Sequence, residues 1–199
     1  MPRHAVVLGA GGAARAVVHA LITDGFQRIV VFNRHLHRGE GLVRHFGRSA
    51  AHMDLKAMPW HESVLEAELS KTKVLVNATS IGMAPGETPI PADLLPPDLL
   101  VMDLVYNPSQ SQLLKDAAAA HCATMNGELM LLQQGARSFE LWTGQRAPLE
   151  VMQAELERAR EQGLRQLPID MGPDGGEGTP NGGAIGGSAR PGPAASTSA

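Results

Sequence analysis

The stretch Ala5-Val6-Val7-Leu8-Gly9-Ala10-Gly11-Gly12-Ala13-Ala14 decides the fold of this chain. Its four leading apolar residues are typical of a strand buried on both faces of a parallel sheet. The glycines follow the G-x-G-x-x-[G/A] pattern where the strand passes into a helix. Gly9 permits the tight turn, Gly11 lets a pyrophosphate approach the backbone, and Ala14 lets the helix pack close to the strand. The turn therefore predicts a dinucleotide-binding site at a helix N-terminus; the alternative is a glycine-rich connection without a ligand.

Short apolar runs alternate with helical patterns along the rest of the chain. Further strands are predicted at residues 29–32, 74–76, 99–102 and 123–125, with a weaker candidate at 49–52. Helices are predicted at residues 13–24, 37–46, 62–70, 110–121, 128–142 and 149–162. Such alternation indicates βαβ units. The predicted fold class is α/β, a doubly wound, Rossmann-like parallel sheet over residues 1–165 with C-terminal helices.

Composition narrows the class of protein. The formal net charge is −3, so no basic excess favours nucleic acid or a membrane surface. We find no apolar run long enough to span a bilayer and no signal peptide. The single cysteine, Cys122, excludes an internal disulfide framework and favours a cytoplasmic location. Residues 166–199 are dominated by Gly, Pro, Ser and Ala, which predicts a disordered tail.

The end of the second predicted strand indicates which dinucleotide would bind. An NAD-specific domain carries an acidic residue there for the ribose 2′-hydroxyl. This chain has Asn33, Arg34 and Arg38 instead, with His35 and His37 among them. A guanidinium can bind a 2′-phosphate through two hydrogen bonds, whereas a carboxylate would repel it. The sequence therefore predicts NADP(H), the alternative being a solvated basic turn; the histidine spacing suggests no metal.

Several motifs together resemble the shikimate dehydrogenase family and its quinate/shikimate relatives, in the family's order. The motifs are residues 9–16 (GAGGAARA), Asn33-Arg34 with Arg38, residues 77–83 (NATSIGM), residues 103–108 (DLVYNP), residues 127–136 (GELMLLQQGA) and residues 139–144 (FELWTG). The glycine turn is shared with many dehydrogenases, but the later segments are specific. The resemblance implies NADPH-dependent reduction of 3-dehydroshikimate to shikimate in aromatic amino-acid biosynthesis.

The resemblance also implies roles for individual residues. The pyrophosphate would be held by Gly9, Ala10, Gly11, Gly12 and Ala13, and the adenosine 2′-phosphate by Asn33, Arg34 and Arg38. Thr79 would line the cofactor cleft, and the nicotinamide would lie near Leu104, Gly127 and Met130. Tyr106 and Gln134 would contact substrate hydroxyls. Taken singly, Met130 could be a core residue, Gln134 a helix-surface amide and Tyr106 a half-buried ring.

The sequence departs from the family in two places. The family's catalytic Lys and Asp pair belongs to a substrate-binding domain that precedes the cofactor domain. Met1 falls immediately before the first strand, so we expect that domain to be absent and the chain alone to be inactive. The lysines of this chain match no catalytic motif: Lys56, Lys71, Lys73 and Lys115. Glu128 also stands where the family usually has Leu, which places a negative charge near the nicotinamide-side loop.

Three hypotheses follow from these features. The chain is the cofactor half of a shikimate dehydrogenase; or a stand-alone NADP(H)-binding module that works with a separate substrate domain or senses NADP(H); or part of another oxidoreductase, such as glutamyl-tRNA reductase or a methylene-tetrahydropterin dehydrogenase. The expected partner is a separate substrate-binding domain or a second copy of the chain in a homodimer. The Gln134-Gly135-Ala136 and Trp142-Thr143-Gly144 segments favour the first over the third.

Overall fold

The computed structural model describes residues 3–162, so the predicted tail lies outside the described residues. The strands are β1 His4–Leu8, β2 Arg28–Asn33, β3 Asp54–Pro59, β4 Val74–Asn77, β5 Leu100–Asp103 and β6 Ala123–Met125. The helices are α1 Gly12–Thr23, α2 Leu36–Phe46, α3 Glu62–Leu69, α4 Gln112–Ala119, α5 Glu128–Thr143 and α6 Leu149–Glu161, with a short 3-10 helix at Ala92–Leu94.

The six strands form one parallel sheet in the order β3-β2-β1-β4-β5-β6. Chain order therefore reverses between β1 and β4, which is the point where open α/β sheets bind ligands. The register aligns Leu8 with Phe32 on one side and with Asn77 on the other. The loops that follow β1, β2 and β4 consequently emerge side by side, and the predicted doubly wound fold class is confirmed.

The central strand is buried on both faces. Val6 and Leu8 pack into one apolar cluster, while Ala5 and Val7 pack into a second cluster on the opposite face of the sheet. Val18 of α1 belongs to that second cluster and is fully buried. The period-2 alternation of a strand thus supplies two cores from four consecutive apolar residues.

The strand predicted at residues 49–52 is wrong. Residues 49–52 form turns, and the strand of this region is β3, which begins at Asp54. β3 lies at the edge of the sheet and is only half-buried, with Lys56 exposed. An edge strand needs no continuous apolar run, so the local pattern gave no signal for it. The other predicted helices and strands agree with the structure to within two residues at each end.

No helix within residues 3–162 is long and apolar enough to cross a membrane.

Candidate functional site

The glycine turn is held in place by backbone contacts at Gly9. Its φ of +104° lies in the region that favours glycine, and its N–H donates to the carbonyl of Phe32 at 2.7 Å. A Cβ at Gly9 would lie 2.8 Å from the carbonyl oxygen of Ala78 and 3.2 Å from Cγ2 of Thr79. Gly9 is therefore required by the protein itself, because the loops after β1, β2 and β4 meet there.

Gly11 and Gly12 have a different environment. Both are exposed, and a Cβ added to either would meet no atom of residues 3–162 within 4 Å, apart from the adjoining backbone. Gly11 is the N-cap of α1, where no side chain caps the helix and the first turn contains no acidic residue. The first N–H groups of α1 and its positive end therefore face open space, as a pyrophosphate requires.

A cleft of about 370 Å³ opens beside this turn, at the carboxyl edge of the sheet. Its walls come from the loops that follow β1, β2, β3 and β4 and from the segment before the 3-10 helix. The lining residues are Gly9, Phe32, Asn33, Arg34, Trp60, Thr79, Ser80, Ile81 and Pro89. Four of these residues were predicted from the sequence: Gly9, Asn33, Arg34 and Thr79.

The other five lining residues were not predicted as site residues: Phe32, Trp60, Ser80, Ile81 and Pro89. Trp60 directly follows β3, the strand that the sequence did not reveal, and is 39% exposed. A large exposed aromatic residue in a chain with only 4% aromatic residues was the one available signal.

The loop after β2 carries the predicted phosphate-binding arginines. Arg34 and Arg38 are exposed, and neither forms an ion pair with another residue of the described chain. The side-chain amide of Asn33 donates to the carbonyl of His35 at 2.8 Å, which shapes the turn into α2. α2 has no acidic residue in its first turn. The turn thus offers positive charge, and of its two arginines Arg34 lines the cleft.

Two residues predicted beside the nicotinamide lie in direct contact. A Cβ on Gly127 would lie 2.4 Å from the carbonyl oxygen of Leu104, so only glycine allows the start of α5 to approach the end of β5 so closely. Leu104 is buried, and Met130, one turn into α5, is half-buried. The contact fixes the β5 loop against α5 on the other side of the switch point from Arg34.

A buried polar network joins the ends of β4 and β5. The Asn77 amide donates to Oδ1 of Asp103 at 2.9 Å, and its own oxygen accepts from the N–H and hydroxyl of Thr79 at 3.1 and 2.7 Å. The Thr79 hydroxyl also accepts from the N–H of Ile81 at 3.1 Å. These bonds engage the Thr79 hydroxyl within the protein and fix the loop by which Thr79 lines the cleft.

Asp103 continues the network into the β5 loop. Oδ1 of Asp103 accepts from the N–H of Val105 at 3.0 Å, and Oδ2 accepts from the Ser111 hydroxyl at 2.5 Å. Ser111 in turn caps α4 by accepting from the N–H of Leu114 at 3.3 Å. Asp103 is fully buried, and this desolvation raises the pKa of its carboxyl, with the three hydrogen bonds opposing the rise. The network sets the loops that carry Thr79 and Tyr106.

The two predicted substrate residues are not brought into one cleft. Tyr106 is 41% exposed and lies in a smaller cleft with Glu128 and Arg160. Gln134 is exposed on α5. The Glu128 carboxylate lies 3.7 Å from the Arg160 guanidinium of α6, so the charge that departs from the family pattern is paired within the chain.

The lysines and the cysteine lie away from this cleft. Lys56 pairs with Asp54 at 3.0 Å, while Lys71 and Lys73 precede β4 at the opposite edge of the sheet. The thiol of Cys122 donates to the carbonyl of Pro96 at 3.3 Å, and burial raises its pKa. Cys122 therefore packs as a small residue and not as a reactive thiolate.

The fold and the cleft together define a dinucleotide-binding α/β domain: a sheet in the order 3-2-1-4-5-6, an uncapped helix start at the switch point, and a basic turn after β2. Known proteins narrow this class. The family model described as Shikimate / quinate 5-dehydrogenase matches residues 2–83, and the one described as Shikimate 5'-dehydrogenase C-terminal domain matches residues 127–157. The chain belongs to the shikimate dehydrogenase family.

Individual relatives agree with this assignment. The shikimate dehydrogenase (NADP(+)) of Methanopyrus kandleri is 44% identical over 159 residues, which are 78% of this chain and 54% of the relative. The shikimate 5-dehydrogenase of Thermus thermophilus, solved with NADP(H) and shikimate, is 38% identical with a TM-score of 0.65, covering 78% of this chain and 54% of that one. The quinate dehydrogenase of Corynebacterium glutamicum, solved with NAD, is 30% identical with a TM-score of 0.70, covering 80% and 56%. The chain spans about half the length of the curated relatives it matches.

Proposed function

We propose that this chain binds NADP(H) and is the cofactor-binding half of an NADPH-dependent shikimate dehydrogenase, which reduces 3-dehydroshikimate to shikimate. The observation that carries the proposal is the start of α1, where Gly11 and Gly12 border space that no other part of the described chain fills. Neither residue has a positive φ, so neither the backbone conformation nor internal packing requires glycine there. A pyrophosphate that lies close to the backbone does require glycine there, because it needs the space that a Cβ would occupy.

The charges of the β2 loop support NADP(H) over NAD(H). The loop places the Arg34 guanidinium in the cleft and has no carboxylate to accept the ribose 2′-hydroxyl. The Arg34 guanidinium and the Asn33 amide can both donate hydrogen bonds to a 2′-phosphate. Arg38 lies one turn along α2, where it would add a second positive charge.

Residues on the other side of the switch point would orient the nicotinamide ring. NADPH supplies a hydride to the ketone carbon when bound. Leu104, the Gly127 backbone and Met130 would form an apolar wall that keeps water from that ring. Tyr106 and Gln134 would donate hydrogen bonds to hydroxyl groups of the substrate. Reduction of a ketone also needs a proton at the developing alkoxide, and we propose that a separate substrate-binding domain supplies it, as in the family.

Arg34 provides the direct test of cofactor choice. We expect Arg34→Asp to weaken NADPH binding by about 2 to 3 kcal/mol, or roughly 30- to 150-fold, because a charge-assisted pair is replaced by repulsion. NADH affinity should change only a few-fold. Calorimetric titration with both cofactors measures the two effects.

Arg44→Ala is the matched control, since Arg44 is an exposed arginine at the far end of the same helix. It should leave both affinities unchanged. Equal losses for NADPH and NADH in Arg34→Asp would contradict the proposed role, and no binding of either cofactor by the wild type would overturn the proposed function.

We also propose, on the same family grounds, that residues 1–165 form one cofactor domain and that the protein is cytoplasmic. Its partner would be the substrate-binding domain or a second copy of the chain.

A further inference from the structure

We propose that Trp60 forms the adenine-binding wall of the cleft and contributes equally to the binding of NADP(H) and NAD(H). The inference rests on the proposed function and adds a residue to that site. Trp60 directly follows β3, whose last residue, Pro59, lies in register with Asn33 of β2. The indole therefore lies beside the loop that carries Arg34, and both residues line the cleft.

The position of the indole is fixed from the protein side. Its ring meets the Phe32 ring edge-on, with centroids 6.4 Å apart and planes at 87°. Phe32 is fully buried in the core, so it gives Trp60 an immobile support. Trp60 nevertheless stays 39% exposed and lines the cleft. An aromatic ring held on one side and open on the other provides a stacking platform.

The surroundings of Trp60 match an adenine base. The neighbouring walls are apolar at Ile81 and Pro89, and Arg34 is the one charged residue that lines the cleft within the described part of the chain. A planar, weakly polar base can stack on an indole, and a guanidinium can cover a π face. The pyrophosphate end of the cleft is marked by Gly9, so a dinucleotide that enters there would extend its adenosine toward Trp60.

This placement separates two contributions to cofactor binding. The 2′-phosphate is present only in NADP(H), so Arg34 discriminates between the two cofactors. The adenine base is common to both, so Trp60 contributes affinity without discrimination. We therefore expect Trp60→Leu to lower the affinities for NADPH and NADH by the same factor of about 10, because base stacking on an aromatic side chain is lost.

The chain contains two tryptophans, which allows a direct spectroscopic test. Trp142 is 84% exposed at the end of α5 and does not line the cleft. The Trp142→Phe variant leaves Trp60 as the single tryptophan, and Trp60→Phe leaves only Trp142. The probe is adenosine 2′,5′-bisphosphate, which lacks the nicotinamide that would quench a distant indole by energy transfer. Saturating probe should quench the emission of Trp142→Phe and leave that of Trp60→Phe unchanged.

Affinity measurements complete the test. Calorimetry should show the loss of about 10-fold for Trp60→Leu and a smaller loss for Trp60→Phe, which keeps an aromatic face. Thermal melts verify that the variants are folded. If Trp60→Leu does not fold, the fluorescence of Trp142→Phe still shows whether the probe contacts Trp60. Wild-type affinity in Trp60→Leu, or probe binding without a change in Trp60 emission, would overturn this inference while leaving the proposed function intact. Failure of the wild type to bind any dinucleotide would overturn both.

Discussion

Glycines only two residues apart serve different purposes in the turn after β1. Gly9 is fixed by the protein, since its φ is +104° and a side chain would collide with Ala78. Gly11 has an ordinary φ of −85° and open space where its Cβ would be. Gly9 is therefore needed for the fold, whereas Gly11 leaves room for a ligand.

Alanine substitutions should separate these two roles. We expect Gly11→Ala to change the free energy of unfolding by no more than about 0.5 kcal/mol and to weaken NADPH binding at least about 10-fold, because the methyl group occupies the phosphate's position. Gly9→Ala should destabilise the fold by about 2 kcal/mol or more. Urea unfolding and cofactor titration measure both quantities. A Gly11→Ala variant that binds like the wild type would show that nothing approaches the backbone there.

Asp103 is a second residue whose environment makes a measurable prediction. Burial raises the pKa of its carboxyl above the ordinary value of 3.8, so the folded state holds that proton more tightly than the unfolded state does. The stability it contributes is therefore complete below the unfolded pKa and is lost as the pH rises through the folded pKa. We expect the stability of the wild type, relative to Asp103→Asn, to fall as the pH rises above the ordinary carboxyl value of 3.8.

The difference in unfolding free energy between the wild type and Asp103→Asn cancels the titration of all other carboxyl groups. Denaturant unfolding at several pH values measures it, with Ser111→Ala as the control that removes a hydrogen-bond donor but keeps the carboxyl. The prediction would be contradicted if the stability of the wild type, relative to Asp103→Asn, stayed constant or rose with increasing pH.

Arg28 links two strands and a helix, β2, β3 and α3, at the edge of the sheet that β3 forms. Arg28 of β2 donates to Glu68 of α3 at 2.7 and 2.8 Å, and it also pairs with Asp54 of β3. Hydrogen bonding to Glu68 raises the pKa of Arg28. The Arg28 and Glu68 side chains are 21% and 11% exposed, so solvent screens this pair only partly.

We expect Arg28→Ala to destabilise the protein by about 2 to 3 kcal/mol, because it leaves the Glu68 carboxylate buried without its partner. Arg3→Ala is the matched control: Arg3 pairs with Asp24 at 2.5 Å, but these side chains are 54% and 61% exposed. Breaking that surface pair should cost about 1 kcal/mol or less. Thermal unfolding compares the two variants, and equal losses would show that burial of the Arg28 pair has no energetic consequence.

For the molecule as a whole, the family match covers only about half of each relative. We expect the 199-residue chain to bind NADPH but not to oxidise it in the presence of 3-dehydroshikimate. Reduction of the ketone needs a proton at the developing alkoxide, and we propose that the donor belongs to the separate substrate-binding domain. Absorbance of the reduced nicotinamide follows the reaction, with a full-length relative as the positive control.

Adding a relative's substrate-binding domain in trans extends this experiment. Activity that returns with the added domain would support a two-part cleft. Turnover by the chain alone would contradict the assignment of the proton donor to a separate domain.

The sequence by itself determined the features that depend on neighbouring residues. The turn at Gly9–Ala14, the buried central strands and the helices follow from local sterics and hydrophobic period, so they could be predicted without a fold. Arg34 was predicted because it follows a recognisable strand, whereas the roles of Asn33 and Thr79 were implied by the resemblance to the family. The missed strand β3 has no such local pattern, since an edge strand is defined by its neighbour in the sheet.

Only the tertiary structure decided which side chains share the cleft. Leu8 and Asn77 are 69 positions apart in the chain, and strand register alone places the loops after them side by side. The pairing of β2 with β3 sets Trp60 beside Arg34, and the pairing of β4 with β5 sets Asp103 beside Asn77. These contacts are non-local, because they depend on the order of strands in the sheet, and no periodicity within a single segment encodes that order.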